Sequence, residues 1–298
     1  MPETTSAWVD MLGGEISYFD DGTYRTRCLH AGSGSEPPLV LLHGIGGHAE
    51  AYLKNVLTLA TTLEDRAVYA IDLLGHGFTS KPGSYRLEDY ANHVEAFIEH
   101  LDYDSVHLSG ESLGGWITSW MAVNRSDHLE TICLNTTAGL TKDLHRRALS
   151  DEQITQMEGE NQDLMDRTKE MIEHNYPREL VERRVDWLFH DEPPQELVDI
   201  RYQLYQRDDV QAEMPRIYEA TSEFGRIGDE DFKSIDLPTL IIHTDHNPGT
   251  PADTMRYVDD NLLEESEIYV YEQAAHWPQW EQADKFNDHL TEFITAHT

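Results

Sequence analysis

Two hydrophobic patterns alternate along the first 140 residues. Short runs of four or five apolar residues, such as Leu39–Leu42 and Ala67–Ile71, are followed by longer amphipathic stretches. An unbroken apolar run that short suits a strand buried on both faces, and a repeat of three to four residues suits a helix with one buried face. The pattern predicts strands near Glu15–Tyr18, Tyr24–His30, Leu39–Leu42, Ala67–Ile71, Ser105–Ser109 and Thr131–Leu134. Helices are expected around Ala49–Leu63, Leu87–Leu101 and from Gly115 to Val123. The first two strands are separated by the turn Asp20-Asp21-Gly22. From Thr141 to Arg226 the chain is polar, rich in Arg and Glu, and reads as helix throughout. Strands return at Thr239–Ile242 and Glu267–Tyr271, each followed by a helix (Ala252–Leu262 and Gln282–Ala296).

Strand–helix alternation with doubly buried strands predicts an α/β fold, a mostly parallel twisted sheet with helices on both faces. The helical stretch then becomes an insertion. Residues 1–140 and 227–298 form the expected core, and residues 141–226 a cap over the sheet edge where such folds bind ligands.

The chemistry is expected at that edge. Gly110-Glu111-Ser112-Leu113-Gly114 fits G-x-S-x-G and falls between a predicted strand and a predicted helix, the context this nucleophile turn requires. Ser112 needs a base, and of 16 histidines His276 follows the last predicted strand, where the order nucleophile, acid, base places it. Most of the other 15 histidines, such as His145 and His297, read as surface residues of an acidic protein. An oxyanion needs amide donors, expected from Leu113 and from the loop His43-Gly44-Ile45-Gly46-Gly47, with Ile45 first and Gly46 second.

The acid is less plain. The position three residues beyond Thr244 is Asn247, while Asp245 lies two residues earlier. An amide can fix an imidazole tautomer but cannot stabilise imidazolium by charge, so Asp245 is favoured with Asn247 as the alternative. His243, Asp245 and His246 lie too close together for a tetrahedral metal site, and no metal is expected.

His43-Gly44, Asp72-x-x-Gly75-His76-Gly77, Gly110-x-Ser112-x-Gly114-Gly115 and the late His276 together resemble the α/β-hydrolase superfamily over nearly the whole chain. The run His276-Trp277-Pro278-Gln279-Trp280-Glu281, followed by Phe286-Asn287, is similar to the meta-cleavage-product hydrolases, which split C–C bonds in vinylogous 1,5-diketone acids. The resemblance implies a cap arginine that binds the substrate carboxylate. Arg201 lies in a similar context, with Trp277 beside the base as a second substrate-binding candidate. Glu111 departs from the Asn often found before the nucleophile in those C–C hydrolases and is common among esterases. A carboxylesterase or lactonase is the alternative activity, and a ligand-binding relative with weak turnover a remote one.

Composition narrows the partners. Of 298 residues, 22 are Lys or Arg and 56 Asp or Glu, a formal net charge of −34. Such a chain repels nucleic-acid phosphate and anionic membrane surfaces. Only six of the basic residues are Lys. Few lysines and many carboxylates suit molar salt, where a Debye length of about 3 Å screens their repulsion. A salt-adapted protein is therefore expected. The segment Met1–Asp10 lacks the pattern of a signal peptide, no window is apolar enough for a membrane span, and Cys28 and Cys133 read as buried thiols. A cytoplasmic enzyme acting on a small molecule is expected. No cofactor is implied, and homodimer formation is compatible with the sequence.

Overall fold

In the computed structural model, residues 6–297 are described; the first five residues of the segment read as lacking a signal peptide lie outside them. Eight strands form one sheet: β1 (Glu15–Asp20), β2 (Arg25–Gly32), β3 (Leu39–Leu42), β4 (Ala67–Ile71), β5 (Val106–Glu111), β6 (Leu129–Asn135), β7 (Thr239–Thr244) and β8 (Ser266–Tyr271). Their order is β1-β2-β4-β3-β5-β6-β7-β8. β2 runs antiparallel to both β1 and β4, and the remaining neighbours are parallel.

Why the central strands carry no polar face is visible in β3. Val40 and Leu42 enter the core on one side of the sheet, and Leu39 and Leu41 the core on the other. Successive residues point to opposite faces, so a strand sandwiched between helices must be apolar at every position. Each side chain so buried contributes about 1.5–3 kcal/mol.

One predicted helix is interrupted. Ala49–Leu63 becomes a 3₁₀ turn at Ala49–Tyr52 and an α-helix at Val56–Thr62. Glu50 turns inward, where its carboxylate pairs with Arg27 at 2.6 Å, and Arg27 also pairs with Asp72 at 3.2 Å. Asn55 is buried and donates to the Gln279 carbonyl and to Asn287 Oδ1. These polar anchors override the local helical pattern. Asp72 additionally accepts the amides of Ala49 and Phe78. The motif residue Asp72 is thus tied into the frame behind the site.

The segment between β6 and β7 forms helices at Lys142–Ala148, Asp151–Glu173, Arg178–Asp186, Gln195–Tyr205 and Asp208–Ser222. Its two ends meet where Leu140 bridges to Ile227 in parallel fashion. Among the described residues no helix is long and apolar enough to cross a membrane. Cys28 and Cys133 are free and buried, and burial pushes both thiols up to about 12.

Candidate active site

Sheet register collects the chemistry. Leu42 at the end of β3 lies opposite Gly110, Glu111 opposite Asn135, and Asn135 opposite Ile242. The loops after β3, β5, β7 and β8 therefore leave the sheet side by side. They carry the glycine loop, Ser112, Asn247 and His276 respectively.

Ser112 sits between β5 and the helix Leu113–Asn124 with φ +53° and ψ −109°. A non-glycine residue there is strained, and such strain persists only where the surroundings impose it. The flanking glycines permit the turn. A Cβ on Gly110 would lie 2.2 Å from the Gly114 backbone, and one on Gly114 would lie 2.3 Å from the Leu42 carbonyl oxygen. Ser112 is 8% exposed and lines a small cavity of about 10 Å³.

Of the two acid candidates, Asn247 reaches the imidazole. Its Oδ1 lies 2.6 Å from His276 Nδ1, and its Nδ2 donates to the Thr250 carbonyl at 2.9 Å. Since the amide nitrogen is committed to Thr250, Oδ1 faces the ring and Nδ1 must carry a proton. That tautomer leaves the Nε2 lone pair free in the neutral ring. Asp245, the favoured acid, is turned away: its carboxylate accepts the Gln273 amide and lies 3.8 Å from the exposed His246. The Asp245 amide donates to the Tyr271 carbonyl just beyond the β7–β8 pairing, which ties Asp245 to the rim. Asp245→Ala is therefore expected to hold turnover within about twofold. Asn247→Ala should lower it about 10²-fold, short of the roughly 10⁴ associated with a charged triad acid. Steady-state rates of the two variants check this, and the opposite order would restore Asp245.

A carboxylate does touch the imidazole, from the other side. Glu111 is buried, accepts the Gly44 amide through Oε2 at 2.6 Å, and places Oε1 3.1 Å from His276 Nε2. At that distance the two form an ion pair whenever the ring is protonated on both nitrogens. Among the described residues Ser112 Oγ has no hydrogen-bond partner. The sequence marks Glu111 as a departure before the nucleophile, but nothing in its spacing shows that it faces His276.

The glycine loop is held by two buried histidines. His43 Nδ1 bonds the Gly44 carbonyl and its Nε2 accepts the Leu73 amide; His76 Nδ1 bonds the Leu74 carbonyl and its Nε2 accepts the Gly46 amide at 3.0 Å. The Gly46 amide is thereby engaged, which removes it as an oxyanion donor. The Ile45 amide has no partner among the described residues, and the Leu113 amide opens the helix after Ser112. From the cap, Tyr205 donates to the Gly46 carbonyl at 3.0 Å and so clamps the loop from above.

The His276 loop is secured through the residues around it. The Leu188 carbonyl in the cap accepts the amides of His276 and Trp277. Thr136 donates to the His276 carbonyl, Glu281 accepts the Ala275 and His190 amides, and Gln279 accepts from Asn135. The run from His276 to Glu281 is largely a set of positioning contacts.

Two guanidinium groups face the cavity. Arg201 is 2% exposed and stacks over Trp277 at 5.2 Å; burial pulls its guanidinium below the ordinary value. Arg184 is 4% exposed and lies over Trp187 at 4.9 Å, and the Trp187 ring is 5.2 Å from that of His276. Arg184 appears in the sequence only as half of the basic pair Arg183-Arg184. Among the described residues no group of three or more His, Cys, Asp or Glu side chains is placed to hold a metal.

A mostly parallel sheet with a strained serine at a strand–helix elbow, and a histidine after the last strand lining the same cavity, defines the class. The chain belongs to the alpha/beta hydrolase fold family, whose model matches residues 37–283. It is 25% identical over 281 residues to 2-hydroxy-6-oxo-2,4-heptadienoate hydrolase from Pseudomonas putida, covering 92% of this chain and 94% of that one. Among solved structures, a serine hydrolase involved in carbazole degradation superposes with a TM-score of 0.77 at 21% identity, covering 95% of this chain and 99% of that one. A bacterial membrane phospholipase A superposes with a TM-score of 0.78 at 23% identity, covering 97% of this chain and 88% of that one. These two structural likenesses establish the fold.

Proposed function

We propose that the protein is a serine hydrolase that cleaves a C–C bond in a small carbonyl-containing acid. The carrying observation is the joint presence, around one cavity, of Ser112, His276 and the buried Arg201. The name of the Pseudomonas putida relative, a hydrolase of an unsaturated hydroxy-oxo acid, supports the same reaction.

Ser112 Oγ attacks the substrate carbonyl as His276 Nε2 takes its proton. Asn247 holds the Nδ1–H tautomer. The negative charge that an amide lacks comes from Glu111, within reach of the resulting imidazolium. Leu113 and Ile45 amides receive the oxyanion. Arg201 and Trp277 hold the substrate carboxylate at the cap. His276 then delivers a proton to the leaving group and activates water for the second half-reaction. For a C–C bond the leaving group is carbon, so ketonisation of the dienol must first create an electron sink.

A carboxylesterase or lactonase reading rests on Glu111 and uses the same groups, with an alkoxide leaving directly. A relative that binds with weak turnover rests on Asn247. The residues outside the site carry the charge, and with few lysines they suit a salt-adapted cytoplasmic enzyme. A panel of p-nitrophenyl esters, lactones and a meta-cleavage dienol, run in dilute and in molar salt, tests these points together. The dienol is expected to have a kcat/KM at least about tenfold above the best ester, higher in molar salt. Faster ester hydrolysis would establish the esterase reading. Absence of turnover on every class would leave the binding protein.

A further inference from the structure

The cap's cations are divided in their pairing. Arg183 pairs with Glu179 at 2.6 Å, Arg207 with Asp209 at 2.9 Å and Arg216 with Glu213 at 2.8 Å. Arg184 and Arg201 are buried and have no carboxylate partner among the described residues. Arg184 Nε and Nη1 are also fully enclosed without a hydrogen bond. A buried ion carries a desolvation cost of several kcal/mol, and with 56 acids in the chain compensation was readily available. Both guanidinium groups line the cavity over Ser112. The one carboxylate lining it, Glu111, is held by the Gly44 amide and His276 instead. A single substrate carboxylate on Arg201 would leave Arg184 buried and uncompensated.

We propose that Arg184 and Arg201 form a two-point anion site, and that the substrate is a short oxo-acid with two carboxylates, one for each arginine. The two cations come from different cap helices, Arg178–Asp186 and Gln195–Tyr205. Each is backed by a tryptophan face, which positions the flat guanidinium and leaves its N–H edge for a carboxylate. The enclosed space at the two arginines is small, about 10 Å³, which favours a short chain between the carboxylates. This specificity rests on the hydrolase reading for its substrate, but binding alone can test it.

Calorimetry on the full-length Ser112→Ala protein with glutarate and adipate, against pentanoate and hexanoate, removes chemistry from the readout. The diacids are expected to bind at least about tenfold more tightly than the monoacids of equal length. In Arg184→Gln on that background the ratio should fall to near one, and Arg184→Lys should restore part of it. In Arg201→Gln both classes should weaken. Equal affinities for mono- and diacids in the parent would overturn the proposal, since both arginines would then serve one carboxylate. So would an Arg184→Gln variant that keeps the diacid preference. The parent comparison needs no cap variant to fold. If no substrate class is turned over by the wild type, the hydrolase reading fails, while the diacid preference is still decided by these affinities.

Discussion

Ser112→Ala is expected to lower kcat by about 10⁴- to 10⁶-fold on whichever carbonyl substrate the enzyme accepts. The loss should be chemical. The Ser112 hydroxyl makes no hydrogen bond among the described residues, so removing it breaks no structural contact. Alanine keeps the Cβ at the same φ of +53°, so the backbone strain is unchanged. Thermal or urea unfolding should therefore shift by less than about 0.5 kcal/mol. Residual hydrolysis within tenfold of wild type would place the nucleophile elsewhere. His276→Ala would then be the next variant to measure, because the elbow alone would not explain turnover.

The second large effect is acid unfolding. Burial pushes His43 and His107 down to about 3, and His93, His145 and His243 down to about 4. His76 is held well below the ordinary range for the same reason. Hydrogen bonding agrees for the two in the glycine loop, since His43 and His76 each accept a backbone amide that imidazolium could not accept. In the unfolded chain these rings titrate near about 6.5.

The unfolded state therefore binds more protons below that pH, and stability rises with pH through the interval. The contribution is fully present above about pH 6.5 and is lost progressively down to about pH 3. Each histidine removes about 1.4 kcal/mol per pH unit, so the five valued above remove on the order of 7 kcal/mol per unit. Against a total stability of roughly 5–15 kcal/mol, unfolding is expected within about two pH units below 6.5. Urea midpoints from pH 7.5 to 4.5 measure it, and the slope should correspond to an uptake of about five protons. His107→Gln should reduce that uptake by about one. A midpoint unchanged between pH 7 and pH 5 would show that these rings are charged in the fold.

That acid sensitivity was hidden in the sequence. Most histidines other than His276 look like solvated residues of an acidic chain, yet His145, with His43, His48, His76, His93, His107 and His243, is buried. His107 lies on β5 between Thr131 and Arg66, and His93 on a helix facing Thr26. Their partners come from distant segments, so no local window reveals them. The same holds for the interrupted helix after the glycine loop, where Glu50 and Asn55 are drawn inward to Arg27 and Gln279.

What the sequence determined by itself was whatever depends on local period or on a tight turn. The doubly buried strands, the elbow at Ser112, the histidine loop after β8 and the helical insertion follow from apolar runs, glycine spacing and order. Arg201 and Trp277 came from a resemblance, and the structure brings both to the cavity. Tertiary structure alone decided the side-chain directions at the sheet edge. The Thr250 carbonyl turns Asn247 toward His276 while β7–β8 pairing turns Asp245 away. The Gly44 amide brings Glu111 under the imidazole, and the packing of two cap helices separates the unpaired Arg184 from its paired neighbour Arg183. A loop residue's direction is set by the groups packed around it, and apart from the nearby Thr250 those groups here lie tens of residues away in the chain.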